Sequence, residues 1–283
     1  MPPIPALTDS HAHLDSARYD TDREAMLIAA RDAGVGTVLS IGIGDGPDTM
    51  HRALDLCREY AGRTDVPRLF ATAGVHPDEA AKLDSTAIDT LNKLLAAPEI
   101  VACGEIGLDY YWDTAPRAVQ QEAFIEQMEL AAGHRLPIVI HCRAAERAGV
   151  GDTAAWDDTL ALLHRHWRQT CLGGILHCFA GTVEHARRAI DFGFLISFAG
   201  NITFPKAQAI RDAAAALPLA SLLIETDAGV VARNGDIARL TERHGAPVGE
   251  GPDTIGEDRG FYWSVSVEVA HHGNADVGCA ERE

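Results

Sequence analysis

Positive charge is scarce in this sequence. Its 283 residues carry 24 Lys and Arg against 41 Asp and Glu, a formal net charge of −17. Such a chain is not expected to bind nucleic acid through a broad basic surface, because phosphates need cationic partners. A polyanionic substrate has to be drawn by something local, and bound divalent cations are one way to supply that charge. The cysteines are few as well. Cys57, Cys103, Cys142, Cys171, Cys178 and Cys279 form no CxxC pair. Cys103, Cys142 and Cys178 fall in apolar stretches that read as strands, so the set is expected to be reduced core residues of an intracellular protein. No stretch approaches the roughly 20 apolar residues that a membrane span needs, and the start, MPPIPALTDS, has neither a basic cluster nor a long apolar run. A soluble, cytoplasmic, monomeric protein without membrane contact is expected.

What the sequence does have is enough apolar material for a large core, 47% hydrophobic residues. Short apolar runs alternate with longer helical patterns. The runs are Ala6–Ser10, Thr37–Ile43, Leu69–Val75, Val101–Leu108, Pro137–His141, Gly174–Cys178, Phe194–Phe198 and Leu222–Thr226. Most are rich in Ile, Val and Leu without clean alternation, the pattern of strands buried on both faces in a parallel sheet. Helical stretches lie between them: Asp20–Gly34, Pro47–Gly62, Ser85–Ala97, Pro116–Arg135, Thr153–Gln169, Thr182–Phe192 and Pro205–Leu217. Several open on Ser, Thr or Pro, which favour helix starts. Strand ends recur roughly every 20 to 35 residues, the size of one βα unit. Eight such units predict an α/β fold, a TIM (β/α)8 barrel forming a single domain over 1–283. An open doubly wound sheet is the alternative, and no GxGxxG follows the first run to support it. Residues 229–283 are rich in glycine and charge, and only Phe261–Ala270 suggests a regular element. This segment is expected to supply the last barrel helix or to be partly disordered.

The chemistry lies in the polar residues at the ends of the apolar runs. The first run leads into Thr8-Asp9-Ser10-His11-Ala12-His13. Residues i and i+2 of a strand share a face, so His11 and His13 converge and can hold one divalent metal. The pair alone is only a moderate signal. Glu105 interrupts an apolar stretch, His141 and His177 end the fifth and sixth runs, and Asp227 follows the eighth. The C-terminal strand ends are where active sites of this fold sit. Two His, a Glu, two more His and an Asp at that mouth suggest a two-metal cage. A buried Glu is costly unless paired or metal-bound, so Glu105 reads as a carboxylate bridging two cations. A barrel salt bridge is the plainer alternative. Asp227 reads as a ligand that also takes a proton from the attacking water; a capping role is its alternative. His76 and Arg143 read as substrate-binding residues, with a structural hydrogen bond and a solvated or ion-paired side chain as their alternatives. Asn201 reads as a turn residue. The remaining histidines, among them His164, His166, His271 and His272, read as surface residues.

Taken together, the segments DSHAHLD at Asp9–Asp15, GVHP at Gly74–Pro77, GEIGLDYY at Gly104–Tyr111, IHCR at Ile140–Arg143, LHCFAG at Leu176–Gly181 and IETDA at Ile224–Ala228 resemble the TatD family in order and spacing. QEAFIEQMELA at Gln121–Ala131 is similar to the helix that follows GLDY in that family. The resemblance spans about residues 7–228. It implies a barrel of the metal-dependent, amidohydrolase-like hydrolase kind that acts on DNA, often as a 3′→5′ exonuclease on a single strand or 3′ end. It implies metal ligands at His11, His13, Glu105, His141, His177 and Asp227, and two divalent ions, Mg, Mn or Zn. His11, His13 and Asp227 would hold one ion and His141 and His177 the other, with Glu105 between them and Asp227 as general base. The sequence departs from the family pattern at Ala144, where Asp is common, and at Gly229, where Pro is common. Arg243–Pro247 is a poor echo of the family's Arg-Asn-x-Pro segment, a departure consistent with a diverged tail or a reading-frame error. An amidohydrolase cleaving a C–N or ester bond would use the same cage. An inactive barrel relative is the further alternative.

Overall fold

The structure is a computed structural model that describes residues 7–145 and 153–228. Eight strands run in chain order: β1 (Leu7–Ala12), β2 (Val35–Ser40), β3 (Arg68–Ala73), β4 (Ile100–Asp109), β5 (Ile138–Arg143), β6 (Gly174–Leu176), β7 (Phe194–Phe198) and β8 (Leu222–Ile224). They form one sheet in the order β1 to β8, every pair parallel. Residues just past β8 bring it back to β1. The Asp227 amide donates to the His11 carbonyl at 2.9 Å, the His13 amide donates to the Ala228 carbonyl at 2.8 Å, and Ala12 and Ala228 form a parallel bridge. The expected barrel is therefore present, and its ring is joined by main-chain bonds at the residues that carry the chemistry. The last helix expected from 229–283, and the Phe261–Ala270 stretch, lie outside the described residues.

Between the strands lie α1 (Arg23–Asp32), α2 (Arg52–Glu59), α3 (Ser85–Leu94), α4 (Arg117–His134), α5 (Ala154–Leu162), α6 (Val183–Asp191) and α7 (Gln208–Ala216). Helix α3 starts where the Asp84 carboxylate accepts from the amides of Thr86 and Ala87, satisfying first-turn donors. In α6 the Thr182 hydroxyl accepts from the His185 amide while the His185 ring accepts from the Thr182 amide, a reciprocal capping box. His185 is buried against Trp156, so it is not one of the expected surface histidines. His164 and His166 meet that expectation better, being exposed and half-buried in the π-helical turn Leu163–Trp167 after α5. His271 and His272 lie outside the described residues.

One large apolar cluster packs helices against strands, with Phe124, Met128, Trp167 and Phe194 fully buried. A second joins Leu39, Ile41, Ala102 and Val139 with Phe70 and Ile175. It takes its residues from β2 to β6 and the residue after β2, with none from a helix, as expected of side chains filling a barrel interior.

Strands β6 and β8 stop earlier than the apolar runs suggested. Cys178 and Asp227 adopt φ of 44° and 50°, a left-handed backbone uncommon for residues with a Cβ. The chain leaves the extended conformation where it must aim side chains into the mouth, and such backbones concentrate at functional sites. Cys178 is thus half-buried beyond β6 rather than inside a strand. Cys103 and Cys142 are buried strand residues as expected, Cys57 is buried on α2, and Cys171 is exposed; none of these forms a disulfide. Cys279 lies outside the described residues. Burial pushes the thiols of Cys57 and Cys103 up to about 12. Peptide mapping after iodoacetamide treatment of the folded protein at pH 8 is expected to show Cys57, Cys103 and Cys142 unmodified and Cys171 alkylated.

Gly107 in β4 stands opposite His141 of β5 at φ 138°, and an added Cβ would overlap the His141 carbonyl oxygen. Only a residue without a side chain allows the two strands this approach. Gly107→Ala is expected to destabilise the protein by at least about 1 kcal/mol, lowering Tm by about 2–4 °C, as read by calorimetry.

Candidate metal centre

The mouth of the barrel gathers the six sequence-selected ligands. His11 lies in β1 and His13 one residue past its end; Glu105 lies in β4 and His141 in β5. His177 follows β6 directly, and Asp227 lies three residues past β8. His11, His13, Glu105, His177 and Asp227 are buried, and His141 is half-buried. The rings of His11 and His177 stack at 3.8 Å, and His11 and His13 bring their Nε2 atoms to 3.2 Å.

Glu105 is the centre of this arrangement, 2% exposed. Its Oε2 faces the first histidine pair, 3.3 Å from His11 Nε2 and 3.6 Å from His13 Nε2. Its Oε1 faces the other pair, 2.7 Å from His141 Nδ1 and 2.8 Å from His177 Nε2. Asp227 Oδ1 adds to the first side, 3.6 Å from His13 Nε2 and 4.0 Å from His11 Nε2. That oxygen is buried without a hydrogen-bond partner. A buried, unpaired carboxylate oxygen facing imidazole nitrogens is costly by itself. It is the natural complement of a cation. Three sets of donor atoms lie within 4.8 Å of one another: His11, His13 and Glu105; His11, His177 and Asp227; His76, Glu105 and His141. Imidazoles and carboxylates suit divalent transition metals, so the residues present fit such an ion.

The electrostatics carry the same demand. Burial by itself would raise the Glu105 carboxyl, but the charges of His177 and His11 outweigh it and hold Glu105 well below the usual carboxylate range. Burial opposes the charged form of His141, yet hydrogen bonds to Asp109 and Glu105 lift it to about 9. His177 rises in the same way, its burial outweighed by Glu105. Burial holds His13 well below its ordinary value, and burial with the neighbouring His141 charge lowers His76 to about 3. Burial also raises Asp227 to about 6, partly offset by His177 and His11. The carboxylates thus require positive charge at the mouth, which ring protons and a divalent cation compete to provide.

His76 is the first residue after the Ala73–Val75 stretch to turn toward the site. Its Nε2 lies 3.9 Å from Glu105 Oε1 and its ring 4.5 Å from that of His141, while Nδ1 accepts the Asp78 amide at 3.2 Å. One nitrogen thus makes the structural hydrogen bond and the other faces the cage. Arg143 differs. Its exposed guanidinium does not enter the cage but lies 4.1 Å over the Tyr111 ring. Asn201 sits in the 3-10 turn Gly200–Thr203, with Oδ1 buried and lacking a hydrogen-bond partner.

Two carboxylates at the site had been given no role. Asp109 Oδ2 is 3.0 Å from His141 Nε2, and its Oδ1 accepts the amides of Tyr111 and Trp112 at 2.8 and 2.9 Å. Glu225 Oε1 is 3.3 Å from His177 Nδ1 and accepts the Cys178 amide at 2.6 Å. Asp109 hydrogen-bonds the far nitrogen of His141, and Glu225 lies in ion-pair range of the far nitrogen of His177, an arrangement that favours the other nitrogen of each ring facing Glu105. The spacing held a signal for both. Asp109 stands four residues after Glu105 on a strand, and Glu225 two before Asp227, spacings that favour a shared face. Asp109→Asn and Glu225→Gln are each expected to weaken divalent-ion affinity about 10–100-fold while the protein stays folded. Competition with a metal-indicator dye checks the first point and circular dichroism the second.

Comparison with known proteins agrees with this architecture. The family model described as TatD related DNase matches residues 8–240. The chain is 35% identical to the metal-dependent hydrolase YabD of Bacillus subtilis, covering 78% of this chain and 79% of YabD. It is 34% identical to the 3′-5′ ssDNA/RNA exonuclease TatD of Cronobacter turicensis, covering 78% of this chain and 77% of that one. The crystal structure of YjjV, a TatD homologue of Escherichia coli K12, superposes with a TM-score of 0.67 at 34% identity, covering 78% of each chain. The chain belongs to the TatD related DNase family and is a metal-dependent hydrolase.

Proposed function

We propose that this protein hydrolyses phosphodiester bonds of DNA, removing nucleotides from the 3′ end of a single strand, at a centre that holds two divalent cations. The observation that carries the reading is Glu105, whose two oxygens face two different groups of histidines. His11, His13 and Asp227 would hold one ion and His141 and His177 the other, with Glu105 shared. Bound divalent ions supply an acidified water and neutralise charge that builds on the phosphate in the transition state. The naming of the Cronobacter relative as a single-strand exonuclease supports the substrate class. The net charge of −17 opposes a broad phosphate-binding surface, so on this reading the cations of the mouth draw the anion.

The residues divide the remaining work. Asp227, whose Oδ1 is buried at the mouth without a hydrogen-bond partner, accepts the proton of the attacking water. His76, at the edge of the cage beside His141, contacts the substrate phosphate or the leaving oxygen. Asp109 and Glu225 hold His141 and His177 in orientation.

Glu105→Ala and Asp227→Asn are each expected to abolish divalent-dependent release of nucleotides from a 3′-labelled oligonucleotide, a loss of at least about a hundredfold. Both variants should retain the circular-dichroism spectrum of the unchanged protein. Full activity in either variant contradicts the assignment. Turnover of small amides by the unchanged protein, with no nucleotide release, would replace the nuclease with an amidohydrolase acting through the same cage.

A further inference from the structure

Trp112 is 50% exposed, although it lies three residues beyond β4 with its amide bound to Asp109 beside the candidate centre. Large aromatic side chains bury readily, so an indole left half in water at such a place calls for a partner. It is not loosely placed. Its amide and that of Tyr111 both donate to Asp109 Oδ1, the carboxylate whose other oxygen meets His141 Nε2 at 3.0 Å. The Tyr111 and Trp112 rings meet edge-to-face, 5.0 Å apart at 89°. The Arg143 guanidinium lies 4.1 Å from the centre of the Tyr111 ring and 5.6 Å from that of Trp112. Arg143 is held by β5, where it pairs with Asp109 and its carbonyl accepts the Tyr110 amide. The indole is therefore braced on one side by an aromatic–cation stack, and its backbone is tied to a residue that orients a candidate ligand.

From this we infer that Trp112 is a stacking platform for one unpaired nucleobase of the strand whose phosphodiester lies in the cage. The inference rests on the proposed nuclease reading and extends it to the way the strand is held. Two features of the molecule converge on a nucleobase. The platform's own backbone amide is held by Asp109, whose other oxygen meets His141 Nε2, so the residue is anchored next to a candidate ligand. The net charge of −17 denies the strand a broad phosphate-binding surface, so away from the cage affinity must come mainly from contacts that do not depend on Coulomb attraction. Aromatic stacking is such a contact; it tolerates any base because every base has a π face. A base paired in a duplex has both faces covered, so the platform also selects single strands and frayed ends. Arg143, stacked on Tyr111 and exposed, stands beside the platform where the adjoining phosphate would lie.

The test is binding rather than turnover. Fluorescence anisotropy of a labelled, hydrolysis-resistant phosphorothioate dT decamer is measured with divalent ions present, for the unchanged protein, Trp112→Ala and Trp112→Phe. Trp112→Ala is expected to raise Kd about tenfold, and Trp112→Phe to restore most of the affinity. The same decamer with abasic sites in place of its bases is expected to bind the unchanged protein and Trp112→Ala alike. Equal affinity of Trp112→Ala and the unchanged protein for the dT decamer overturns the inference, and so does an equal loss on the abasic strand. Equal affinity accompanied by a change in sedimentation would assign the indole to a contact between copies. The nuclease reading fails separately, if the unchanged protein with added divalent ions releases no nucleotide; Trp112-dependent binding of the strand would still stand.

Discussion

A buried carboxylate that must be compensated organises this molecule. Glu105 sits in the middle of β4 with 2% of its surface exposed, at a depth where an uncompensated charge is prohibitive. His11 and His13 from β1, His141 from β5 and His177 from the end of β6 bring their nitrogens to its two oxygens. Each of those elements needs the closed parallel ring to reach the same point. The bonds that join β8 to β1 fall at His11, His13, Asp227 and Ala228, so the closure of the barrel and the assembly of the site are one event in the structure.

Around this centre the supports are electrostatic and steric. Gly107 lets β4 approach β5 at His141, while Asp109 and Glu225 hold His141 and His177 from behind. The left-handed backbones of Cys178 and Asp227 turn the chain at the points where strands give way to functional side chains. A rigid barrel can carry such local costs because its apolar clusters, not its mouth, supply the stability. The result is a strongly acidic chain with a concentrated demand for positive charge at the barrel mouth. On the proposed reading this demand is also what makes the site selective: phosphate is admitted through cations, and the strand is held by stacking.

Much of this was legible in the sequence. The eight apolar runs, spaced by helix-length segments, locate all eight strands, and Phe194–Phe198 is matched residue for residue. The six candidate ligands stood out because Glu, His and Asp are rare at the ends of apolar runs, and the structure brings them together. What escaped has physical reasons. The early ends of β6 and β8 depend on left-handed φ values at Cys178 and Asp227, which residues with a Cβ do not advertise. Asp109 and Glu225 lay in view but looked like the polar ends of strands; their role depends on which ring nitrogen each meets, a matter of tertiary geometry. The stacking of the Arg143 guanidinium on Tyr111 is not visible in the sequence, because that neighbour in space comes from a different strand end. His185 was taken for a surface residue and is a buried cap, since its partner Trp156 lies on another helix.

The central claim is that Glu105 is shared by two cations. The direct measurement is the number of divalent ions bound per chain, by elemental analysis after equilibrium dialysis against manganese, for the unchanged protein and for Glu105→Ala. The account predicts two ions per chain in the unchanged protein and no more than one in the variant. A single ion in the unchanged protein, or the same stoichiometry in both, would contradict it.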